Sequence, residues 1–169
     1  MLINRVNDLY LRAVLLGILA LFSVEVGAMG LFDFMKVCLF SEVKGVVTLE
    51  GKPVAGAELI RTAKFNDKVY TDRAVTDTSG EFHFDAMYTH SVNKMIFIIE
   101  PVIPQTITIG HNDKQYPGWR TTKRDYYENA ELEDDRNIDL RCELVNEPSV
   151  KDQKIRSPLY GVCSLREYE

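Results

Sequence analysis

The sequence is poor in the residues that build metal and nucleic-acid sites. Its 3 histidines, His83, His90 and His111, lie far apart and share no metal-ligand spacing. Its 3 cysteines form no Cys-x-x-Cys pair and no Cys/His cluster, which argues against a structural zinc site. Basic residues number 20 against 25 acidic ones, a formal net charge of −5, whereas phosphate binding needs a basic face. We therefore expect no metal, no cofactor and no nucleic-acid partner.

The N-terminal apolar run is too short to cross a membrane. Ala13–Phe22 is a ten-residue run, whereas a bilayer core of ~30 Å takes about 20 residues to span. Two arginines precede the run, and the segment Val26–Ala28 follows it with small residues. A basic flank, a short apolar centre and small residues are typical of a secretory signal peptide. We therefore interpret residues 1–28 as a signal peptide, cleaved before Met29, of an exported periplasmic protein.

Two alternatives for this segment remain open. Residues 1–28 could stay attached as an anchor helix instead of being removed. Translation could also begin at Met29, because the residues that follow it read as an ordinary protein start. The product would then be cytoplasmic.

The three cysteines allow three disulfide pairings. In an oxidising compartment, one disulfide and one free thiol is the simplest arrangement of Cys38, Cys142 and Cys163. We favour the pair Cys142–Cys163, because it would tie a polar C-terminal tail back to a strand. A cytoplasmic chain would instead keep all three thiols reduced.

Residues 43–84 carry a β-strand pattern with two tight turns. Lys44–Leu49 is rich in β-branched residues, and Glu50–Pro53 supplies a glycine and a proline for a turn. In Thr76–Gly80, the aspartate can cap the turn and the glycine can adopt the left-handed conformation. Glu81–Phe84 alternates strictly, so its two phenylalanines should share one face of a strand.

Three segments together resemble the carboxypeptidase regulatory-like domain: Gly45–Val47, Gly51–Ala57 and the pattern Thr76-Asp77-x-x-Gly80-x-Phe82-x-Phe84. The resemblance implies an all-β, transthyretin-like, Greek-key β-sandwich of about seven strands. Domains of this fold usually serve as structural or binding modules. The chain lacks the His-x-x-Glu zinc motif of carboxypeptidases and the C-terminal motif of transthyretin-like hydrolases. The resemblance therefore implies a protein without catalytic residues and without a small-molecule substrate.

The second half of the chain supplies further strand candidates. The apolar run Lys94–Ile99 predicts a strand buried on both faces. Gly110–Lys114 predicts a hairpin turn, and Pro117–Trp119 predicts the end of the strand that returns from it. Ile138–Leu144 alternates cleanly and predicts the last core strand, with every second residue from its start facing inward. We therefore place the sandwich domain at residues 43–145.

Two flanking segments complete the chain. Residues 29–42 form a lead-in, whose apolar part is either an edge strand or a short amphipathic helix. Residues 146–169 form a polar tail that we expect to pack on the domain. The sequence leaves the oligomeric state open.

Tyr126–Asp135 is the surface segment with the most distinctive composition. Two adjacent tyrosines are followed by a cluster of carboxylates, whose mutual repulsion predicts an extended, solvated loop. Such a loop is either a plain acidic connection or a binding loop, in which tyrosines provide contact area and carboxylates attract a basic partner. Its spacing is not that of a calcium loop. Trp119 is a second candidate anchor, although a tryptophan after Pro-Gly can instead lie at the rim of the core. The predicted partner-binding residues are Trp119, Tyr126, Tyr127, Glu131, Glu133, Asp134 and Asp135.

The lead-in Lys36–Ser41 and the segment Tyr116-x-Gly118-Trp119 resemble an uncharacterised bacterial family associated with type VI secretion loci. Small periplasmic proteins encoded at such loci commonly neutralise a toxin. The resemblance therefore implies an immunity protein that binds a cognate effector and blocks it by occlusion, with no chemistry of its own. The alternative is a structural or adhesive cell-envelope module without a toxin partner.

Overall fold

A computed structural model describes residues 35–92, 100–151 and 155–166. Their regular structure is built from strands, which confirms the predicted all-β class. The predicted signal or anchor segment, residues 1–28, and the predicted strand Lys94–Ile99 lie outside the described residues. Within the described ranges, no helix has the length and hydropathy required to span a bilayer. The strands are β1 (Lys36–Phe40), β2 (Val43–Leu49), β3 (Lys52–Pro53), β4 (Glu58–Phe65), β5 (Lys68–Val75), β6 (Glu81–Phe84), β7 (Met87–His90), β8 (Ile103–His111), β9 (Lys114–Lys123), β10 (Ile138–Glu143), β11 (Ser149–Lys151), β12 (Leu159–Gly161) and β13 (Cys163–Leu165).

The strands form two larger sheets and one small one. The first sheet has the order β13-β10-β2-β3, with β6 also paired to β2, and the second has the order β11-β12-β9-β8-β4-β5. Strands β1 and β7 form a separate antiparallel pair. The inward-facing residues of both larger sheets share one hydrophobic cluster, so the fold is sandwich-like. The strand segments outnumber the seven or so expected, partly because the lead-in supplies β1 and the tail supplies β11, β12 and β13.

The predicted core strand and hairpin are confirmed. In β10 and just after it, Ile138, Leu140, Cys142 and Leu144 are all buried, as strict alternation requires. The β8–β9 hairpin turns at residues 112 and 113, whose φ angles are 49° and 58°. Two consecutive positive φ angles are the geometry of a type I′ turn, which matches the right-handed twist of the flanking strands.

The aspartate turn between β5 and β6 is also confirmed. Asp77 Oδ1 accepts hydrogen bonds from the backbone N–H groups of Ser79 at 2.8 Å and Glu81 at 2.9 Å. These bonds lower the pKa of the Asp77 carboxyl, because they stabilise its charged form. Gly80 has a φ of 76°, and a Cβ there would lie 2.6 Å from the Val47 carbonyl oxygen. A glycine is therefore required at this position.

The predicted end of a strand at Pro117–Trp119 is wrong. Strand β9 continues through this segment to Lys123, and its register against β8 shifts between Ile107 and Thr108. Gly118 has no partner in this register, so the extra residue forms a bulge, as is common where glycine interrupts a strand. A proline, which has no N–H to donate, is tolerated at such a bulge. Its carbonyl accepts a hydrogen bond from Val162 N of the tail at 2.9 Å.

The predicted disulfide is confirmed. Strand β13 pairs antiparallel with β10 and places Cys163 opposite Cys142, where the two form a disulfide with a Cα–Cα distance of 4.0 Å. Cys38 is a free, buried thiol. A structural disulfide is consistent with an extracytoplasmic location. The same tail supplies β12, which pairs with β9, so the tail enters both larger sheets.

Candidate functional site

Residues 125–136, here called the acidic loop, form a compact segment on one side of the sandwich. The Tyr126 carbonyl accepts a hydrogen bond from Cys38 N at 2.9 Å, which ties the start of the loop to β1. In its middle, Ala130 and Leu132 are buried, and Leu132 forms a β-bridge with Ile155 of the tail. The expectation of an extended, solvated loop is therefore wrong: apolar burial outweighs the repulsion between the carboxylates.

The buried carboxylate of Glu131 attaches the acidic loop to the interior of the domain. Glu131 Oε1 accepts hydrogen bonds from Ser41 N at 3.0 Å and from Gln105 Nε2 at 2.8 Å. Its Oε2 accepts from Ser41 Oγ at 2.6 Å and lies 3.2 Å from Lys123 Nζ. Both members of the Lys123–Glu131 ion pair have side-chain exposures of 0%. Because a buried charge is tolerated only when it is paired and hydrogen-bonded, this network fixes the loop to the body of the domain.

Ser41 is the centre of this network. Its hydroxyl accepts a hydrogen bond from Asn129 N at 2.7 Å, and its carbonyl accepts one from Arg61 Nη1 at 3.2 Å. Arg61 is itself 1% exposed and lies over the rings of Phe40 and Phe84. The same burial lowers the pKa of the Arg61 guanidinium. The short link between β1 and β2 thus connects the acidic loop to the core.

The free thiol of Cys38 lies buried at the edge of this network. Cys38 Sγ lies 3.9 Å from Ser41 Oγ and is 1% exposed. Burial raises the pKa of the thiol above its usual value, which disfavours the thiolate that nucleophilic or redox chemistry requires. The cluster of Cys38, Ser41, Lys123 and Glu131 therefore links β1 and β9 to the acidic loop.

The outer side of the acidic loop is exposed and held by further contacts. Asp135 Oδ1 accepts a hydrogen bond from Arg156 Nη2 at 2.6 Å, and the Tyr88 hydroxyl donates to Glu128. Partial burial, and then the hydrogen bond to Glu128, raise the pKa of the Tyr88 hydroxyl. Tyr127 projects outward with 65% of its surface exposed. The loop therefore presents a tyrosine and carboxylates from a fixed backbone.

The predicted partner-binding residues fall into two groups. Tyr127, Glu133, Asp134 and Asp135 are exposed, and Tyr126 is half-buried. Tyr126 packs edge-to-face on Phe65 with 6.4 Å between the ring centroids. These five residues lie in one loop and can contribute to one surface.

Two of the predicted partner-binding residues are buried and do not lie on the surface. Trp119 is 1% exposed and packs against Phe40 in the core, so it cannot serve as a surface anchor. It points inward because the bulge at Gly118 resets the alternation of β9. Glu131 is 3% exposed and engaged by Lys123, so its charge is neutralised inside the protein rather than offered to a partner.

Sequence reasoning missed Ser41, Gln105 and Lys123 as members of one site. A signal for Lys123 exists, because Trp119, Thr121 and Lys123 occupy alternate positions of β9 and are all buried. A lysine on the inner face of a strand indicates a buried anionic partner. No local pattern identifies that partner, because Glu131 is one of several carboxylates in its segment.

The described residues contain no group of three or more His, Cys, Asp or Glu side chains placed to hold a metal ion. A family described as a domain of unknown function (DUF6795) matches residues 43–147, more than half of the chain. The matched segment runs from β2 past the end of β10 and includes the acidic loop. No curated protein matches the chain.

Proposed function

The chain belongs to the DUF6795 family, and we propose that this domain of unknown function is a non-catalytic protein-binding domain. The proposal includes a Greek-key β-sandwich of the carboxypeptidase regulatory-like type. The observation that carries it is the acidic loop, which exposes Tyr127 above a backbone anchored at Cys38, Ser41 and Ile155. The loop would bind a basic surface of a protein partner.

Pre-organisation supports a binding role for this loop. Ordering a flexible loop on association costs free energy, and a loop already fixed by buried contacts avoids most of that cost. Tyrosine offers a large contact area with few rotatable bonds and is common among the residues that dominate interface energetics. Glu133 adds an exposed carboxylate beside it. Asp134 and Asp135 are also exposed but pair with Arg136 at 3.2 Å and Arg156 at 2.6 Å. Because such exposed pairs exchange readily, all three carboxylates can attract and orient a basic partner.

We further propose that the partner is a cognate type VI secretion effector and that the protein is its immunity protein. Binding would occlude a functional surface of the effector without any chemical step. This role requires export to the periplasm, for which residues 1–28 would act as the signal peptide. The Cys142–Cys163 disulfide supports an oxidising compartment.

Co-purification tests the role directly. The mature chain would be expressed with the products of neighbouring genes, and a stable 1:1 complex with one of them is expected. Deleting the gene should make cells sensitive to sister cells that carry the effector. If no neighbouring product binds and deletion causes no sensitivity, the immunity role is wrong and the structural or adhesive alternative gains support.

Point variants test the acidic loop as the contact surface. Tyr127→Ala should weaken the complex about thirtyfold, the loss typical of an interface hot spot. Combined reversal of Glu133, Asp134 and Asp135 to Lys should weaken it further and remove its salt dependence. Glu58→Lys is the matched control, because Glu58 is an exposed carboxylate on β4 outside the loop. Unchanged affinity in both loop variants would move the interface elsewhere.

A further inference from the structure

Two arginines project from one face of β9. Arg120 and Arg124 are exposed, whereas Thr121 and Lys123 between them point inward and are buried. Arg120 lies within β9 and Arg124 follows its last residue. At about 3.4 Å per residue, four residues of extended chain separate the two positions by roughly 14 Å. Thr122 lies between them on the same face.

These arginines border a groove of about 640 Å³ on the outer face of the six-stranded sheet. Thr106 is the cross-strand partner of Arg120 on β8, and Tyr160 is its partner on β12. Thr122 lines the groove between the two arginines. The groove therefore combines two guanidinium groups, two threonine hydroxyls and a tyrosine ring on a flat β-surface.

The charge of this groove is opposite to that of the whole chain. Within the described ranges, no carboxylate lies within ion-pair distance of Arg120. Arg124 Nη1 is 3.9 Å from Glu100 Oε1, and both side chains are more than half exposed, with values of 56% and 62%. Such exposed pairs contribute little and exchange readily. Both guanidinium groups are therefore accessible to an external anion.

We propose that this groove, the arginine groove, binds an extended acidic peptide segment of a protein partner. An extended chain rises about 3.4 Å per residue, so carboxylates four residues apart match the spacing of Arg120 and Arg124. Each guanidinium can bind a carboxylate through two parallel hydrogen bonds. The threonine hydroxyls can donate to peptide carbonyls between the two ends, and Tyr160 offers a ring for an apolar side chain.

This surface is independent of the proposed function. The acidic loop would contact a basic partner through Tyr127 and carboxylates, whereas the arginine groove selects the opposite charge with different residues. The triple reversal of Glu133, Asp134 and Asp135 should therefore change the affinity for an acidic peptide by less than about twofold relative to the parent protein, once the effect of the altered net charge is screened by salt. A variant that loses binding at one of the two surfaces can still be assayed for binding at the other.

Fluorescence anisotropy with a labelled synthetic peptide tests the proposal. The probe is a short Ser/Thr-rich peptide that carries two glutamates four residues apart, and its control replaces both with glutamine. Arg120→Glu and Arg124→Glu should each weaken binding by roughly tenfold, because attraction becomes repulsion. Arg73→Glu should change it less than about twofold. It is the matched control, since Arg73 is an exposed arginine on β5 at the far edge of the same sheet.

Three results would overturn the proposal. The first is equal weakening by Arg73→Glu, which would indicate attraction to net charge alone. The second is equal binding of the glutamine peptide. The third is displacement of the peptide by a sulfated oligosaccharide that binds more tightly with the same dependence on Arg120 and Arg124, which would assign the groove to a polyanionic glycan. Circular dichroism and an intact disulfide would verify that each variant is folded.

Discussion

Removing the buried carboxylate of Glu131 should destabilise the domain strongly. In Glu131→Ala, Lys123 Nζ loses its ion-pair partner at 3.2 Å inside the protein. The backbone N–H and hydroxyl of Ser41 and the amide of Gln105 lose the oxygen atoms to which they donate. The side chains of both ion-pair members have exposures of 0%, so bulk solvent does not reach the ammonium that the variant leaves unpaired.

The expected loss follows from the burial of the pair. Removing one member of a buried ion pair typically costs about 3–5 kcal/mol, because the remaining charge is left without compensation. Glu131→Gln keeps an acceptor oxygen but removes the charge, so its cost should lie below that of the alanine variant. Glu133→Ala is the control, because this neighbouring carboxylate is exposed, and its effect should stay within about 0.5 kcal/mol.

Urea unfolding measures this loss directly. Trp119 is the single tryptophan and is 1% exposed, so its fluorescence should report loss of the core. With a slope of about 2 kcal/mol per molar urea, the midpoint should fall by roughly 1.5–2.5 M in Glu131→Ala. Circular dichroism should give the same midpoint if unfolding is a single transition. The disulfide should be kept oxidised throughout.

A double variant distinguishes the charge effect from lost packing. Lys123→Met removes the uncompensated ammonium, so combining it with Glu131→Ala should cost less than the sum of the two single variants. A loss below about 1 kcal/mol in Glu131→Ala would refute the reasoning. So would strict additivity in the double variant, because it would mean that Lys123 and Glu131 do not interact in the folded protein.

Two further predictions concern the end of β10. Replacing both Cys142 and Cys163 by Ala should lower the free energy of unfolding by about 3 kcal/mol, since the bridge spans 21 residues of the unfolded chain; an unchanged thermal midpoint would contradict this. Partial burial opposes the charge of Glu143, but hydrogen bonds from the Gly51 and Glu50 N–H groups and other donors outweigh it and lower its pKa. Because the folded-state pKa is lowered, this contribution is present above the unfolded pKa of about 4.3 and is lost as pH falls through the folded value. Glu143→Gln should therefore be about 1 kcal/mol less stable near pH 7. In unfolding experiments it should approach the parent protein as the pH falls through the folded-state pKa of Glu143; a difference independent of pH would exclude this role.

Several features of the fold could be read from short segments. The turns at Asp77–Gly80 and Asn112–Asp113 depend on backbone conformations that few residue types adopt, so their residues mark them directly. The alternation of Ile138–Leu144 follows from strand geometry alone. The Cys142–Cys163 pair was favoured among three possible pairings, because it would tie the polar tail back to a strand. The roles of residues 1–28 and of Lys94–Ile99 stay predictions.

The errors arose where the environment of a residue depends on distant chain segments. Pro117 and Gly118 are typical of a strand end, but the tail supplies Val162 N as a donor, and the strand continues through a bulge. Trp119 then points into the core instead of outward. For the same reason, the carboxylate repulsion expected in the acidic loop was overcome by burial of Leu132.

By itself, the sequence determined the strand class and the tight turns, because each depends on local backbone geometry. Among three possible cysteine pairings, it favoured the pair that the structure contains. Only the tertiary structure decided which charged side chains are buried in ion pairs and which are exposed to solvent. Ser41 and Glu131 are 90 residues apart in the chain yet share two hydrogen bonds in the interior. A polar group buried there needs a buried partner for its hydrogen bonds or its charge. Glu131 therefore pairs with Lys123 in the interior, whereas its neighbour Glu133 is exposed. That division leaves Tyr127 and the outer carboxylates exposed to solvent.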